Sequence, residues 1–195
     1  MVGVVFSQLE LNAPIRTVIT ELHSLAPGGL SGDWGDETKW RVEAGDIEYQ
    51  TIEDAPAPAD VAPLRRAQMR VIAQRFSGTT FREKPMPLEV LRQPLLTYES
   101  PELSVLTGGL FGLFDERDIE IVLQIEARIE DGEATWVYLP VRLSDKELEM
   151  RYQNQRVWSD PRRGYLDPSS PFFAPRIEQH DPELKDVELG DDVAP

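Results

Sequence analysis

Apolar and polar residues alternate most regularly between positions 118 and 143. From Ile119 to Ile129 every second side chain is apolar, and mostly charged or amide side chains occupy the positions between them. The alternation resumes after Asp131 and Gly132 and continues to Leu143. A period of two is typical of a strand with one buried face, so residues 118–143 are predicted to form a long antiparallel hairpin at the centre of a sheet.

The turn of this hairpin determines which side chains share a face. A two-residue turn of Asp131 and Gly132 would place the apolar residues of the second strand on the charged face of the first. A three-residue turn, with Gly132 in the left-handed conformation of a β-bulge, aligns the two apolar sets instead. We therefore predict the three-residue turn, in which Ile125 lies opposite Val137.

Two other segments show the spacing of amphipathic helices. Residues 13–25 follow an asparagine suited to an N-cap, and residues 61–76 carry a proline in their first turn. Together these elements predict an α+β fold. Its antiparallel sheet is centred on the hairpin 118–143, and the two main helices, 13–25 and 61–76, pack on one face of that sheet.

The rest of the chain predicts shorter elements. A first strand is expected within residues 4–11, and a short helix within 88–92. Ser144 and Glu147 resemble a capping box and favour a helix through residue 157, although the alternation that follows also fits a strand. Further predictions are a hairpin of residues 39–44 and 47–52, a proline-broken linker at 53–60 and a strand at 95–98.

The chain of 195 residues is predicted to form one globular domain, residues 1–177, and an acidic tail, residues 178–195. The tail contains seven acids, one lysine and few apolar residues, which favours disorder. The chain has no cysteine, and it shows neither an apolar run long enough for a membrane span nor a signal peptide. We therefore expect a cytoplasmic protein.

The net charge is −15, from 35 acidic and 20 basic residues. Such a charge opposes binding to nucleic acid and to anionic membranes, so neither is expected as a partner. If the partner is another protein, its contact surface should be basic or apolar.

One candidate partner-binding surface combines glycine-rich backbone with large apolar side chains. Trp34 lies in a glycine-rich stretch, and Leu110, Phe111 and Phe114 lie in a second one immediately before the central hairpin. Flexible backbone beside such rings is typical of an adaptable contact. The alternative interpretation is that both stretches are buried.

A candidate anion-binding site is formed by the arginines of the second helix, Arg65, Arg66 and Arg70. Guanidinium groups bind carboxylates and phosphates well. Pairing with acidic residues of the sheet is the alternative.

No catalytic residues, metal site or cofactor are predicted. The only histidines are His23 and His180, and no nucleophile is paired with a base. The neighbouring acids Asp33, Asp36 and Glu37 match no calcium-binding loop. His23 is interpreted as a residue at the edge of the core.

The leading hypothesis is therefore a protein-interaction module of the inhibitor, immunity or adaptor type, without catalytic activity. Two alternatives stay open. One is a small-ligand-binding protein with a cavity between the sheet and the helices, and the other is a hydrolase that uses a pair of carboxylates.

Overall fold

The computed structural model describes residues 2–9, 15–25, 28–34, 38–43, 48–115, 118–163 and 169–180. Over these ranges the chain is mostly antiparallel sheet. The α-helix, α1, spans Ala62–Ala73, and a 3-10 helix spans Pro101–Leu103. The strands are β1 (Val2–Leu9), β2 (Ile15–His23), β3 (Leu30–Trp34), β4 (Thr38–Val42), β5 (Gln50–Thr51), β6 (Phe76–Phe81), β7 (Pro85–Val90), β8 (Leu96–Ser100), β9 (Val105–Phe114), β10 (Ile119–Glu130), β11 (Glu133–Arg142), β12 (Glu147–Tyr152), β13 (Gln155–Asp160), β14 (Phe172–Phe173) and β15 (Arg176–His180).

The largest sheet has nine strands and curls into a half-barrel. Its strand order is β13-β12-β6-β7-β9-β10-β11-β5, and β8 also pairs with β9. The curl brings β11 close to the edge strand β13, since Arg142 Nε lies 2.9 Å from Asp160 Oδ2. A smaller sheet contains β1, β2, β14 and β15, and β3 pairs with β4 in a third.

Helix α1 packs on one side of the half-barrel, against β9 and β10. Its Met69 and Ile72 are fully buried in one cluster with Phe111, Leu123 and Ile125 of the sheet. The helix predicted over residues 61–76 is thus confirmed, but it is shorter and spans Ala62–Ala73. It ends earlier than predicted because Phe76 already belongs to β6. We call the side of β10 that carries Ile121, Leu123, Ile125 and Ala127 the helix face, and the side that carries Val122, Gln124 and Glu126 the outer face.

The predicted α+β fold with two main helices is wrong, because residues 13–25 contain the strand β2 and not a helix. β2 is paired with β1 on one side and with β14 and β15 on the other. The run Thr17 to Thr20 consists of β-branched residues, which favour extended backbone over helix. The helical spacing of its apolar residues was therefore misleading.

The central hairpin is confirmed, but the predicted register is wrong. Glu130 pairs with Glu133, so the turn has two residues, Asp131 and Gly132, with φ angles of 52° and 85°. Ile125 consequently lies opposite Tyr138. The prediction assumed that the apolar residues of both strands share one face, whereas the outer face is also buried and accepts apolar side chains from β11 between its polar groups.

Several shorter predictions are also corrected. The capping-box segment after Ser144 forms the hairpin β12-β13 and not a helix, with Gln153 and Asn154 at positive φ in its turn. Residues 88–92 lie partly in β7, where the helix was expected. The predicted pairing of 39–44 with 47–52 is replaced by pairing of β4 with β3, and Gln50–Thr51 pairs with β11.

Three other expectations agree with the structure. β1 and β8 correspond to the strands predicted near residues 4–11 and 95–98, and residues 53–60 contain no helix or strand. Of the predicted tail, residues 178–180 belong to β15, and residues 181–195 lie outside the described part of the chain.

Candidate functional site

The glycine-rich stretch before the central hairpin is the strand β9. Phe111 is fully buried against α1, and Leu110 is buried on the outer face, so the two side chains point to opposite sides of the sheet. Phe114 is half-buried at the end of the strand. The backbone of Trp34 belongs to β3, and its side chain lies outside the described part of the structure. Phe114 and Trp34 therefore keep the prediction of a partner surface open, whereas Leu110 and Phe111 occupy core positions.

The glycines of β9 allow close packing on both faces of the sheet. A Cβ atom at Gly108 would lie 2.4 Å from the ring of Tyr98, and one at Gly109 would lie 2.7 Å from Met69 Cε of α1. Real Cβ atoms do not approach neighbours so closely. The glycines thus bring Tyr98 and the helix against the sheet.

The three candidate anion-binding arginines have separate surroundings. Arg65 is buried and donates hydrogen bonds to Thr107 Oγ1 at 3.0 Å and to the carbonyl oxygen of Asp60 at 2.8 Å. Arg66 pairs with the exposed Glu99 at 3.1 Å, and Arg70 lies half-buried in the last turn of α1. Arg65 is engaged in the fold, so Arg66 and Arg70 are the surface part of this candidate.

An apolar groove that was not predicted from the sequence runs along α1. One wall is the proline-containing segment that precedes the helix, with Pro56 and Ala59, and the other is the helix surface with Leu64, Ala67 and Val71. The volume is about 350 Å³. Leu64 and Val71 each expose 58% of their surface, which is unusual for side chains of this size on a helix that packs into a core.

The walls of the groove are joined by the side chain of Gln68. Its Oε1 accepts a hydrogen bond from the backbone of Ala59 at 2.8 Å, and its Nε2 donates to the carbonyl oxygen of Ala57 at 3.0 Å. Arg65 also donates to the carbonyl oxygen of Ala59, at 3.0 Å. The proline-containing segment is therefore fixed on the helix, and the groove exists before any partner binds.

The sequence contained a signal for this groove. The spacing of residues 61–76 predicts one stripe toward the core, formed by Val61, Leu64, Gln68, Val71, Ile72 and Phe76. Ile72 and Phe76 are buried as predicted, but Val61, Leu64 and Val71 are exposed, and Arg65, Met69 and Ala73 are buried in their place. Because an arginine occupies the buried side, the pattern of hydrophobicity placed that side too close to Leu64 and Val71.

A second cavity, of about 260 Å³, is mostly polar and lies where β11 and β13 approach each other. His23 of β2 lines it, and burial lowers the pKa of His23 to about 4. His23 Nδ1 lies 2.7 Å from the carbonyl oxygen of Ser24. The other residues that line it are Glu48, Gln50, Leu139, Pro140, Trp158, Ser159, Asp160, Arg163, Ser170, Pro171 and Phe172.

A cluster of carboxylates lies at the start of β10. Glu120 is fully buried and accepts hydrogen bonds from Arg82 at 3.0 Å and from Lys146, and Arg82 also lies 2.6 Å from Asp115. Burial, and next the charge of Glu120, raise the pKa of Glu21 to about 7. Glu21 therefore holds a proton near neutrality, as one of the two carboxyl groups of a carboxylate hydrolase does.

Comparison of the chain with protein-family models, with curated proteins and with solved structures finds no match. In the described ranges, no group of three or more side chains is arranged to hold a metal ion. The helices of these ranges are also too short or too polar to cross a bilayer.

Proposed function

We propose that this acidic chain is a cytoplasmic protein-interaction module, of the inhibitor, immunity or adaptor type, that holds an apolar segment of another protein in the groove along α1. The observation that carries this proposal is the exposure of Leu64 and Val71 beside a fixed second wall. Contiguous exposed apolar surface with a polar rim is typical of protein contacts.

The rigidity of the groove supports binding. The hydrogen bonds of Gln68 and Arg65 hold the wall at Ala59 in place, so a partner does not need to order this wall when it binds. Ordering of loops and side chains is a major cost of association, and a preformed groove reduces that cost.

The charge of the chain supports a basic partner. A net charge of −15 attracts a basic protein over long distance, whereas the contact in the groove itself is apolar. We therefore expect the charge to accelerate association, and the apolar contact to determine how slowly the complex dissociates.

The test is affinity capture from lysate of the source cells at low and high salt, with Leu64→Asp/Val71→Asp as the groove variant. Leu103→Asp is the matched control, because Leu103 is 66% exposed and belongs to the 3-10 helix. We expect the groove variant to capture about tenfold less, or lower still, of at least one protein that the control captures in the wild-type amount. This difference should appear at both salt concentrations.

Both variants should keep the wild-type melting temperature, because substitutions at exposed positions change stability by roughly 0.5 kcal/mol or less. Equal capture of the same proteins by wild type, groove variant and control would contradict the proposal. Loss of capture at high salt in the wild type would point to a charged contact elsewhere.

A further inference from the structure

The polar cavity exists because the outer edge of β11 is only partly paired. β5 pairs with β11 at Val137 and Tyr138 and does not extend further along it. The next residues, Leu139 and Pro140, line the cavity, and proline has no backbone N–H to offer to another strand. The gap between β11 and β13 is therefore an opening of the half-barrel that backbone pairing does not fill.

The cavity presents hydrogen-bond donors and acceptors together. His23 Nδ1 must carry the hydrogen that it shares with the carbonyl oxygen of Ser24, because a carbonyl oxygen only accepts, so Nε2 of the neutral ring is an acceptor. Gln50 uses Oε1 to accept from Tyr138, and its amide hydrogens are donors. Ser170 Oγ accepts from the backbone of Phe172 at 3.2 Å, which leaves its hydroxyl hydrogen to donate.

The formal charges around the cavity cancel when Arg142, which bonds Asp160 but does not line the cavity, is included. Asp160 lies between two arginines, with Oδ2 2.9 Å from Arg142 Nε and Oδ1 2.9 Å from Arg163 Nε. The second arginine charge is balanced by the carboxylate of Glu48, which also lines the cavity. With His23 neutral above about pH 4, the cavity lining and Arg142 together carry no net formal charge that would select an ion.

The apolar part of the lining adds a flat surface. The indole of Trp158 and the ring of Pro171 lie among the polar groups. Sites for small ligands commonly combine aromatic walls with a few placed polar groups. A molecule that has C–H surfaces on its ring faces and hydroxyl groups around its edge matches both parts of this lining.

We propose that this cavity is a binding site for a small, neutral polyhydroxylated ligand of the size of one sugar ring. The volume of about 260 Å³ is below the roughly 300–1,000 Å³ of sites for drug-sized molecules, which restricts the ligand to a single ring. Hydroxyl groups both donate and accept, so they satisfy His23 Nε2, the Gln50 amide and the Glu48 carboxylate together. This site is separate from the groove along α1 and goes beyond the proposed function.

The test uses the full chain and a panel of neutral probes, D-glucose, D-galactose, D-mannose and myo-inositol, with inorganic phosphate and glycine as charged probes. Saturation-transfer NMR detects binding, and tryptophan fluorescence titration gives the affinity. We expect at least one neutral probe to bind at millimolar concentration and the charged probes to bind more weakly.

Glu48→Ala should lower the affinity for the neutral probe by about tenfold or more, whereas Glu53→Ala should leave this affinity unchanged. Both residues are exposed acids, and Glu53 lies in the linker outside the cavity, so the two variants change the net charge equally. Leu64→Asp/Val71→Asp should also retain the neutral probe.

The proposal is overturned if no neutral probe binds at millimolar concentration, or if phosphate or glycine binds more tightly than every neutral probe. It is also overturned if Glu53→Ala weakens binding as much as Glu48→Ala, because the effect would then come from total charge and not from the cavity.

Discussion

The two faces of β10 are both buried, but different interactions hold them. On the helix face, Leu123 and Ile125 pack against α1 without directional bonds. On the outer face, Glu126 accepts hydrogen bonds from Tyr98, from Gln124 at 2.8 Å and from Arg128. Alternation along a strand therefore separates two environments, and the polar environment is not necessarily water.

The buried polar groups of the outer face require specific hydrogen-bond donors in the segments that cover it. Burial, together with the hydrogen bond to Glu126, raises the pKa of Tyr98 far above its ordinary value, and Arg128 lies 4.0 Å from the centre of the Tyr49 ring. A buried carboxylate of this kind is stable only if its donors are in place. We infer that the helix face provides most of the stability, and that the outer face determines which segments cover the sheet.

The largest effect is expected from Ile121→Asp on the helix face. Ile121 is fully buried, and an unpaired carboxylate there costs several kcal/mol against a total stability of roughly 5–15 kcal/mol. Circular dichroism should show an unfolded or strongly destabilised protein. Ile121→Val, which should cost about 0.5–1.5 kcal/mol, is the control, and an unchanged melting temperature in the aspartate variant would refute the core assignment.

An intermediate effect is expected from Glu126→Ala on the outer face. The substitution leaves the buried donors of Tyr98, Gln124 and Arg128 without their shared acceptor, at a cost of about 2–3 kcal/mol. Urea denaturation measures this loss, with the exposed Glu133→Ala as the control. If the two alanine variants were equally stable, the hydrogen bonds of Glu126 would contribute nothing to stability. The inference that directional bonds hold the outer face would then be wrong.

The smallest effect is expected from Glu21→Gln and depends on pH. The pKa of Glu21 is raised to about 7 in the folded chain. The contribution of Glu21 to stability is therefore fully present below its ordinary pKa of 4.5 and is lost as the pH rises through 7. The glutamine variant lacks this loss. It should match the wild type near pH 4.5 and be more stable by roughly 1–2 kcal/mol near pH 8, since part of the carboxyl remains exposed.

Urea denaturation of both proteins at several pH values measures this difference. A constant difference between Glu21→Gln and wild type at all pH values would contradict the raised pKa, because a purely structural effect of the substitution does not follow the titration.

The sequence predicted the elements whose patterns are local. The central hairpin and α1 follow from the alternation of residues 118–143 and from the proline and apolar spacing of residues 61–76. The strand β2 was missed because the helical spacing of its apolar residues outweighed its β-branched run, and because β14 and β15 on its other edge come from distant positions in the chain, with Thr17 paired to Glu178. Pairing over such separations is not visible in the spacing of apolar residues within one segment.

The register of the hairpin was missed for a related reason. The prediction placed the apolar residues of both strands on one face, because the burial of Glu126 and Gln124 under Tyr98 of a different strand is not visible in the alternation. The presence of Gly108, which admits the Tyr98 ring, was an available signal, but glycine was interpreted as a source of flexibility.

The candidate sites were the least predictable part of the molecule. The groove depends on which side of α1 faces inward, and the burial of Arg65 leaves Leu64 and Val71 on the exposed side. The cavity depends on the approach of β11 to β13, which results from the curl of the whole sheet. No local motif around His23 or Asp160 indicates that these residues lie near one cavity.

The partly unpaired edge of β11 also bears on self-assembly. Sheets that end in unpaired strands can recruit further copies of the same chain and grow into fibres. Pro140 interrupts the row of donors that such recruitment requires, and the bond between Arg142 and Asp160 turns the edge toward β13. Replacing Pro140 with a residue that has an N–H would therefore remove a protection against fibre growth.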